Sequence, residues 1–163
     1  MSAGARVLGT NRVRRGDNEL RQLVSQLSLE AGLEAFGDEY DIVLGGGFIS
    51  IRSPKYLPAG EVTFSQIQGL FPFENTLVLC SVKGYDLLRN FINTGNENYF
   101  VSYSSYGNEI KGSINPNATY YIITDTYCST YAPNRLTEIK RYTVGVYAQQ
   151  LLAKYIEDGG LEK

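Results

Sequence analysis

Three arginine side chains ahead of the first predicted helix form the clearest anion-binding feature of this chain. Arg12, Arg14 and Arg15 stand close together in the sequence. A guanidinium group presents a planar fork of donors that fits phosphate oxygens. The N-terminus of a helix adds backbone N–H groups and the positive end of its dipole. The pattern therefore indicates a contact with an anionic group, with a solvated basic flank as the simpler alternative.

A run of three glycines, followed by an arginine, is a second candidate. Gly45 to Gly47 follow a segment predicted as a strand, and Arg52 comes shortly after them. Glycine lets the backbone approach a ligand closely, and it also forms tight turns. The run lacks the Lys-Ser/Thr of a P-loop and the spacing of a dinucleotide fingerprint. The glycines therefore leave a ligand contact and a plain turn open.

Two aromatic residues lie at the ends of predicted elements. Phe73 follows a proline in a loop, and Tyr127 ends a predicted strand. Rings at such positions can stack on a flat ligand, which is worth about 1–3 kcal/mol per nucleic-acid base. Packing in the core is the alternative interpretation for each ring taken singly.

The composition excludes several kinds of catalytic site. The chain has no His among its 163 residues, which removes His-dependent serine and cysteine triads and most zinc or di-metal hydrolase sites. Carboxylate pairs such as Asp17/Glu19 and Asp38/Asp41 remain as acid/base candidates, with solvated acidic surface as the simpler interpretation. The net charge of -2 gives no electrostatic reason to bind nucleic acid.

Hydrophobic residues make up 43% of the chain, which suits a folded domain. The longest apolar stretch, around 42–51, is far shorter than the ~20 residues of a membrane helix, and no leader segment is visible, so we expect no membrane insertion. Cys80 and Cys128 match no metal or redox spacing. We expect two buried thiols, with a disulfide as the alternative.

Apolar periodicity predicts a single α+β domain over residues 1–163, a mixed β-sheet flanked by helices. We expect helices at 18–35, 64–70, 85–92 and 143–157, and strands at 41–44, 75–82, 99–104, 108–114 and 120–126. The segments 51–60 and 130–136 are expected to be loops, and 136–163 to add a C-terminal helix. Asp17 or Asn18, and Thr63, are predicted helix caps.

Several short motifs follow one another along the chain in an order typical of a known family. They are Val7-Leu8-Gly9-Thr10, Arg14 with Asn18 to Val24, Ile42 to Gly47 with Ile51-Arg52-Ser53-Pro54, Gly60-Glu61-Val62-Thr63, Leu70 to Asn75, Val82 to Leu87, and Tyr121 to Tyr127. In this order they resemble the C-terminal domain of 5'-nucleotidases and of related nucleotide and UDP-sugar hydrolases.

The resemblance implies a domain that binds a nucleotide or nucleotide sugar and is not catalytic by itself. Two aromatic rings would hold the base, at Phe73 and Tyr127, and the arginines at 14 and 52 would reach the phosphate. The substrate-binding residues expected on this basis are Arg14, Gly46, Gly47, Arg52, Phe73, Asn75, Tyr127 and Asn134.

The resemblance also implies where the chemistry is carried out. It places two divalent metals and the attacking water in a separate metallophosphoesterase domain, in cis or in trans, and no cofactor in this chain. It suggests a periplasmic, cell-surface or extracellular location.

Departures from the family pattern motivate an alternative hypothesis. Leu44 replaces an Asn before the glycines, and Phe48 to Ser50 are inserted after them. Tyr131 to Asn134 replace an acidic glycine-rich loop, in which Asn134 is the nearest polar substitute for a ribose-binding Asp. The alternative is a non-enzymatic protein-interaction or ligand-binding module with a degenerate nucleotide site.

Overall fold

A computed structural model of the protein describes residues 5–142 and 147–163. The strands are β1 (Val7–Asn11), β2 (Ile42–Phe48), β3 (Gly60–Thr63), β4 (Leu77–Lys83), β5 (Tyr99–Tyr103), β6 (Thr119–Asp125) and β7 (Thr137–Arg141). The helices are α1 (Asp17–Phe36), α2 (Phe64–Leu70), α3 (Gly84–Leu87), α4 (Ser105–Ile110), α5 (Thr126–Thr130) and α6 (Tyr147–Glu157). A π-helical segment, Leu88–Ile92, continues α3, and 3-10 turns occupy Ala132–Asn134 and Gly160–Glu162.

Five strands form a mixed sheet in the order β5-β2-β6-β4-β7. Strands β2 and β6 are parallel, and the other neighbouring pairs are antiparallel. A separate two-stranded ribbon pairs β1 with β3. The predicted α+β class, a mixed sheet flanked by helices, is confirmed.

Side chains that alternate along β4 give the sheet two apolar faces. Leu77 and Leu79 belong to the larger core, to which α1, α6 and the β1–β3 ribbon contribute. Val78 and Cys80 belong to a smaller core that includes residues of α3 and its π-helical continuation. The sheet is therefore covered on both faces.

The glycine run lies within β2, so of the two alternatives that the sequence leaves open, a ligand contact and a plain turn, the turn is excluded. Gly45, Gly46 and Gly47 pair with residues 100–102 of β5. A Cβ atom on Gly45 would lie 2.6 Å from the Cα of Leu29 in α1. The missing side chain lets α1 pack directly on the strand, and that packing together with the β5 pairing keeps the chain extended.

Helix α1 begins without the side-chain cap predicted at Asp17 or Asn18. Its N-cap is Gly16, and Asp17 lies in the first turn. The carboxylate of Asp17 is instead 2.6 Å from the guanidinium of Arg21, one turn further along. Helix α2 does start as predicted, because Thr63 caps it with a reciprocal bond to the side chain of Gln66.

The sequence predicts a strand at 108–114, and this prediction is wrong. The chain forms α4 because the hydroxyl of Ser104 accepts a hydrogen bond from the N–H of Gly107 at 2.9 Å, which caps the helix. Gly107 also passes so close to the carbonyl of Val43 that a Cβ atom would not fit. The β-like composition of the segment is overridden by this cap and this contact.

The chain beyond residue 136 begins with a strand that its sequence pattern does not reveal. Strand β7 is largely exposed and pairs with β4 at the edge of the sheet. The predicted helix 143–157 is present from 147 onward, and 143–146 lie outside the described residues. The amide of Gln149 donates to the carbonyl of Phe71 at 2.8 Å, which ties α6 to the end of α2.

Both cysteines are free and buried, as expected. Burial raises the pKa of the Cys80 and Cys128 thiols to about 12. Neither thiol is therefore ionised near neutral pH.

Two glycine-to-alanine variants should change the stability of the protein in opposite directions, because Gly46 is closely packed and Gly69 is not. Gly46 has a φ of +128°, and an added Cβ would overlap the carbonyl oxygen of Phe100, so Gly46→Ala should lower the free energy of unfolding by about 3 kcal/mol or more. Gly69 lies in α2 with open space around its Cβ position, so Gly69→Ala should raise that free energy by about 0.5–1 kcal/mol. Urea unfolding of both variants checks this, and equal stabilities would contradict the packing described here.

Candidate functional site

A cavity of about 310 Å³ opens where the end of β2, the loop after α2 and the end of β6 meet. This volume lies at the lower end of the ~300–1,000 Å³ that is usual for small-molecule sites. The residues that line it are Phe48, Ile49, Ser50, Arg52, Phe71, Phe73, Asn75, Asp125, Tyr127 and Ala148. Four of the sequence-predicted residues, Arg52, Phe73, Asn75 and Tyr127, therefore share one cavity.

Pairing between β4 and β6 brings two walls of the cavity together. Leu77 is the register partner of Asp125. The residues next to this pair, Thr76 before Leu77 and Thr126 after Asp125, form two further hydrogen bonds. The N–H of Thr126 donates to the carbonyl of Thr76 at 2.9 Å, and the N–H of Thr76 donates to Oγ1 of Thr126 at 3.2 Å. The loop that enters β4 is thus fixed beside the end of β6.

Arg52 and Phe73 form the outer wall of the cavity. The guanidinium carbon of Arg52 lies 4.9 Å from the centroid of the Phe73 ring. The backbone N–H of Arg52 donates to the carbonyl of Leu70 at 2.8 Å, which holds this loop against α2. Arg52 is exposed, so its guanidinium can contact an anionic group while it rests on the ring.

Tyr127 lies in a row of three aromatic rings. Tyr127 itself is 49% exposed. The ring of Phe48 is 5.5 Å away at an angle of 37°, and the ring of Tyr131 is 6.4 Å away and nearly parallel. Of these three residues, Phe48 and Tyr127 line the cavity, so the cavity has a second aromatic surface besides Phe73.

Asn75 and Asp125 are the polar side chains at the β4–β6 junction. Asp125 is 5% exposed, and its Oδ1 accepts a hydrogen bond from the N–H of Cys128 at 2.9 Å, which caps α5. Oδ1 of Asn75 accepts from the hydroxyl of Thr126 at 3.5 Å. Both side chains line the cavity, so a bound ligand would meet an amide and a carboxyl group there.

Burial raises the pKa of Asp125 to about 6. The charged carboxylate loses hydration in this position, and the backbone N–H groups of Cys128 and Tyr127 offset only part of that loss. Near neutral pH the group is mostly ionised, and it becomes neutral in mildly acidic solution.

Arg14 lies outside the set of residues that line the cavity. Its guanidinium carbon is 4.2 Å from the centroid of the Tyr56 ring. Arg14 is exposed, in the segment between β1 and α1. Arg14 therefore does not line the cavity, and its guanidinium rests on Tyr56, which belongs to the same loop as Arg52.

Gly46 and Gly47 make their close approaches to the protein itself. A Cβ atom on Gly47 would lie 2.8 Å from Sγ of Cys128 and 2.8 Å from Oγ1 of Thr124. Neither glycine lines the cavity, and their missing side chains make room for neighbouring strands and helices.

Asn134 is 3% exposed and serves the loop that contains it. Its Nδ2 donates to the carbonyl of Cys128 at 3.1 Å, and its Oδ1 accepts from the hydroxyl of Tyr99 at 3.3 Å. The amide is therefore satisfied by the protein and does not line the cavity.

Sequence reasoning missed several residues of the cavity wall. Phe48, Ile49 and Ser50 are the three residues inserted after the glycines, and all of them line the cavity. Their insertion at a strand end was the available signal. Asp125 carried no such signal, because its position inside a predicted core strand indicated only burial.

Two further properties concern the described residues, 5–142 and 147–163. They contain no group of three or more His, Cys, Asp or Glu side chains arranged to hold a metal ion. The helices among them include none long and apolar enough to cross a membrane.

The raised pKa of Asp125 predicts how stability depends on pH. A carboxyl group with a higher pKa in the folded chain binds its proton more strongly there, so its contribution to stability is full below about pH 4 and is lost as the pH rises to about 6. The loss amounts to about 3 kcal/mol. Asp125→Asn keeps an efficient helix cap and removes this titration.

Chemical unfolding of the wild type and of Asp125→Asn across this pH range checks the prediction. The wild type should lose stability relative to the variant between about pH 4 and pH 6, with a constant difference above. Parallel stability curves would contradict the burial of this carboxyl group.

Comparison with solved structures identifies proteins of similar fold. The 5'-nucleotidase precursor from Thermus thermophilus aligns with a TM-score of 0.57 and 18% identity over 94% of this chain and 36% of that chain. A protein described as a 5'-nucleotidase from Staphylococcus aureus gives 0.59 and 15% over 98% and 39%. The NAD nucleotidase of Haemophilus influenzae gives 0.52 and 12% over 96% and 36%.

These identities show a shared fold, and the chain spans well under half the length of each of these proteins. A search of curated proteins found no match. The family model described as "5'-nucleotidase, C-terminal domain" matches residues 5–144, which is most of the chain. The protein therefore belongs to the 5'-nucleotidase C-terminal domain family.

Proposed function

We propose that this domain binds a nucleotide or nucleotide sugar in the cavity between Phe73 and Tyr127. The observation that carries the proposal is the meeting of two aromatic walls and one exposed guanidinium at a single opening. A flat base fits an apolar space bounded by rings, where stacking contributes about 1–3 kcal/mol per base. Arg52 at the edge of that space suits a phosphate or pyrophosphate group.

The proposed role is substrate binding for a phosphoester hydrolase, without catalysis by this chain alone. The chain has no His, and its described residues bring together no metal-binding cluster. The similar solved proteins are much longer than this chain. We infer that a metallophosphoesterase domain, in cis or in trans, supplies the divalent metals and the attacking water.

Ligand-dependent stabilisation tests the binding itself. Thermal unfolding with AMP, UMP or a UDP-sugar should show a melting temperature that rises with ligand concentration, equivalent to about 2.7 kcal/mol at a hundred times the dissociation constant. Tyr127→Ala or Phe73→Ala should weaken binding about ten-fold or more, because each removes a stacking surface. Tyr85→Ala is the matched control, since Tyr85 is exposed and lies outside the cavity lining.

If none of these ligands stabilises the wild type at millimolar concentration, the nucleotide-binding proposal is contradicted. That outcome would favour the alternative of a non-enzymatic module with a degenerate site. Equal losses in Tyr127→Ala and Tyr85→Ala would contradict the placement of the ligand in this cavity.

The charge of Arg52 predicts a selective loss of phosphate binding. Arg52→Gln should weaken AMP binding about ten-fold and leave adenosine binding nearly unchanged, because only AMP carries the group that the guanidinium contacts. Lys55→Gln, which removes a charge from the same exposed loop, is the control. Calorimetric titration of both ligands measures the effect, and equal losses for AMP and adenosine would contradict the assigned contact.

A further inference from the structure

We propose that Asp125 selects the base, by accepting a hydrogen bond from the exocyclic amino group of adenine or cytosine. Asn75 would donate to the neighbouring ring nitrogen of the same base. This inference rests on the nucleotide-binding function proposed above. It adds a residue that determines which nucleotide the cavity accepts.

The positions of the two side chains support this assignment. Asp125 ends β6 and Asn75 precedes β4, so the β4–β6 pairing and the contact of Asn75 with Thr126 hold both residues near each other in the cavity lining. Asp125 is 5% exposed, and Tyr127, two residues later, supplies a stacking surface. A base stacked on that ring would therefore turn one edge toward the carboxyl and amide groups.

The hydrogen bonds within the protein determine what each group offers a ligand. Oδ1 of Asp125 accepts a hydrogen bond from the N–H of Cys128, and the backbone N–H of Tyr127 also faces the carboxylate. A carboxylate offers about four acceptor positions, so acceptor capacity remains for a ligand. Oδ1 of Asn75 faces the hydroxyl of Thr126, which leaves the amide NH₂ as a donor. The pair therefore presents one acceptor beside one donor.

Adenine and cytosine match this pair, because each carries an amino donor next to an unprotonated ring nitrogen. Hypoxanthine and uracil have a carbonyl oxygen in place of that amino group, and the neighbouring ring nitrogen carries a hydrogen. With these bases, the carbonyl oxygen would face the acceptor oxygen of Asp125, and the N–H of the ring would face the NH₂ donor of Asn75. A buried polar group left without a partner in this way costs enough to reduce affinity about ten-fold.

The charges around the cavity favour one ligand orientation. Arg52 and Asp125 are the charged side chains that line it, the first exposed and the second buried. In this orientation the anionic phosphate of the nucleotide would contact the positive Arg52, and the amino group of the base would contact the negative Asp125. The same arrangement disfavours the reversed orientation, with phosphate against a carboxylate.

Calorimetric titration with two matched pairs of nucleotides tests the inference. At about pH 7.5 Asp125 is ionised, and the wild type should bind AMP about ten-fold more tightly than IMP, and CMP about ten-fold more tightly than UMP. Asp125→Asn keeps the helix cap through its amide oxygen and turns an NH₂ donor toward the ligand. Both affinity ratios should then fall to about one or reverse.

Asp86→Asn is the matched control, because Asp86 is a buried carboxyl on α3, outside the cavity lining. Its ratios should stay at the wild-type values. The wild-type ratios test the inference even if a variant fails to fold.

The outcomes separate this inference from the proposed function. Nucleotides that bind the wild type without an amino preference, or a preference that survives Asp125→Asn, would overturn the role of Asp125 and leave nucleotide binding standing. No binding by any of the four nucleotides would overturn both.

Discussion

The antiparallel pairing of β4 with β6 is the interaction on which the site depends. The Thr76–Thr126 hydrogen bonds join residues that are 50 positions apart in the chain. Without this pairing, the loop with Phe73 and the start of α5 with Tyr127 would have no fixed relation. Both strands lie in the interior of the five-stranded sheet, so the walls of the cavity rest on its most constrained part.

A second constraint is the close approach of α1 to β2. Gly45 allows α1 to contact the strand backbone, and β2 then runs straight into the inserted residues that begin with Phe48. The insertion begins inside this strand, because Phe48 is the last residue of β2 and pairs with Tyr99 of β5, and the N–H of Ile49 donates to the carbonyl of Asn98. Its first residues are therefore held in place, and they form a wall rather than a free loop.

The buried carboxyl of Asp125 opposes the stability of the free domain at neutral pH. Burial raises its pKa, and the helix cap compensates only in part. Residues that cost stability in this way are often found at functional sites. Asp125 lines the cavity. Under the proposed function, a hydrogen-bond donor of the bound ligand would pair with this carboxylate and offset the loss of stability that its burial causes.

The sequence predicted those parts of the fold that depend on local patterns. Helix α1, the Thr63 cap of α2 and strand β6 lie where apolar periodicity, capping preference and β propensity, respectively, predict them. Strand β7 was missed because an exposed edge strand has no apolar alternation, and α4 because its cap overrides β propensity. Boundaries and edge elements thus depended on tertiary contacts.

For the candidate site, the order of motifs located Arg52, Phe73, Asn75 and Tyr127, which the fold brings to one cavity. The same reasoning could not show that Arg14 lies outside the cavity lining, because a sequence pattern does not show which side chains face a common space. Sequence reasoning also could not identify Asp125 as a residue of the cavity lining, because its place there results from the register of β4 and β6.

A crystal structure of the domain with AMP would show whether the nucleotide occupies this cavity. We expect the base in the cavity against the rings of Phe73 and Tyr127, with the phosphate at Arg52. A nucleotide bound elsewhere on the domain, with both rings untouched, would contradict it.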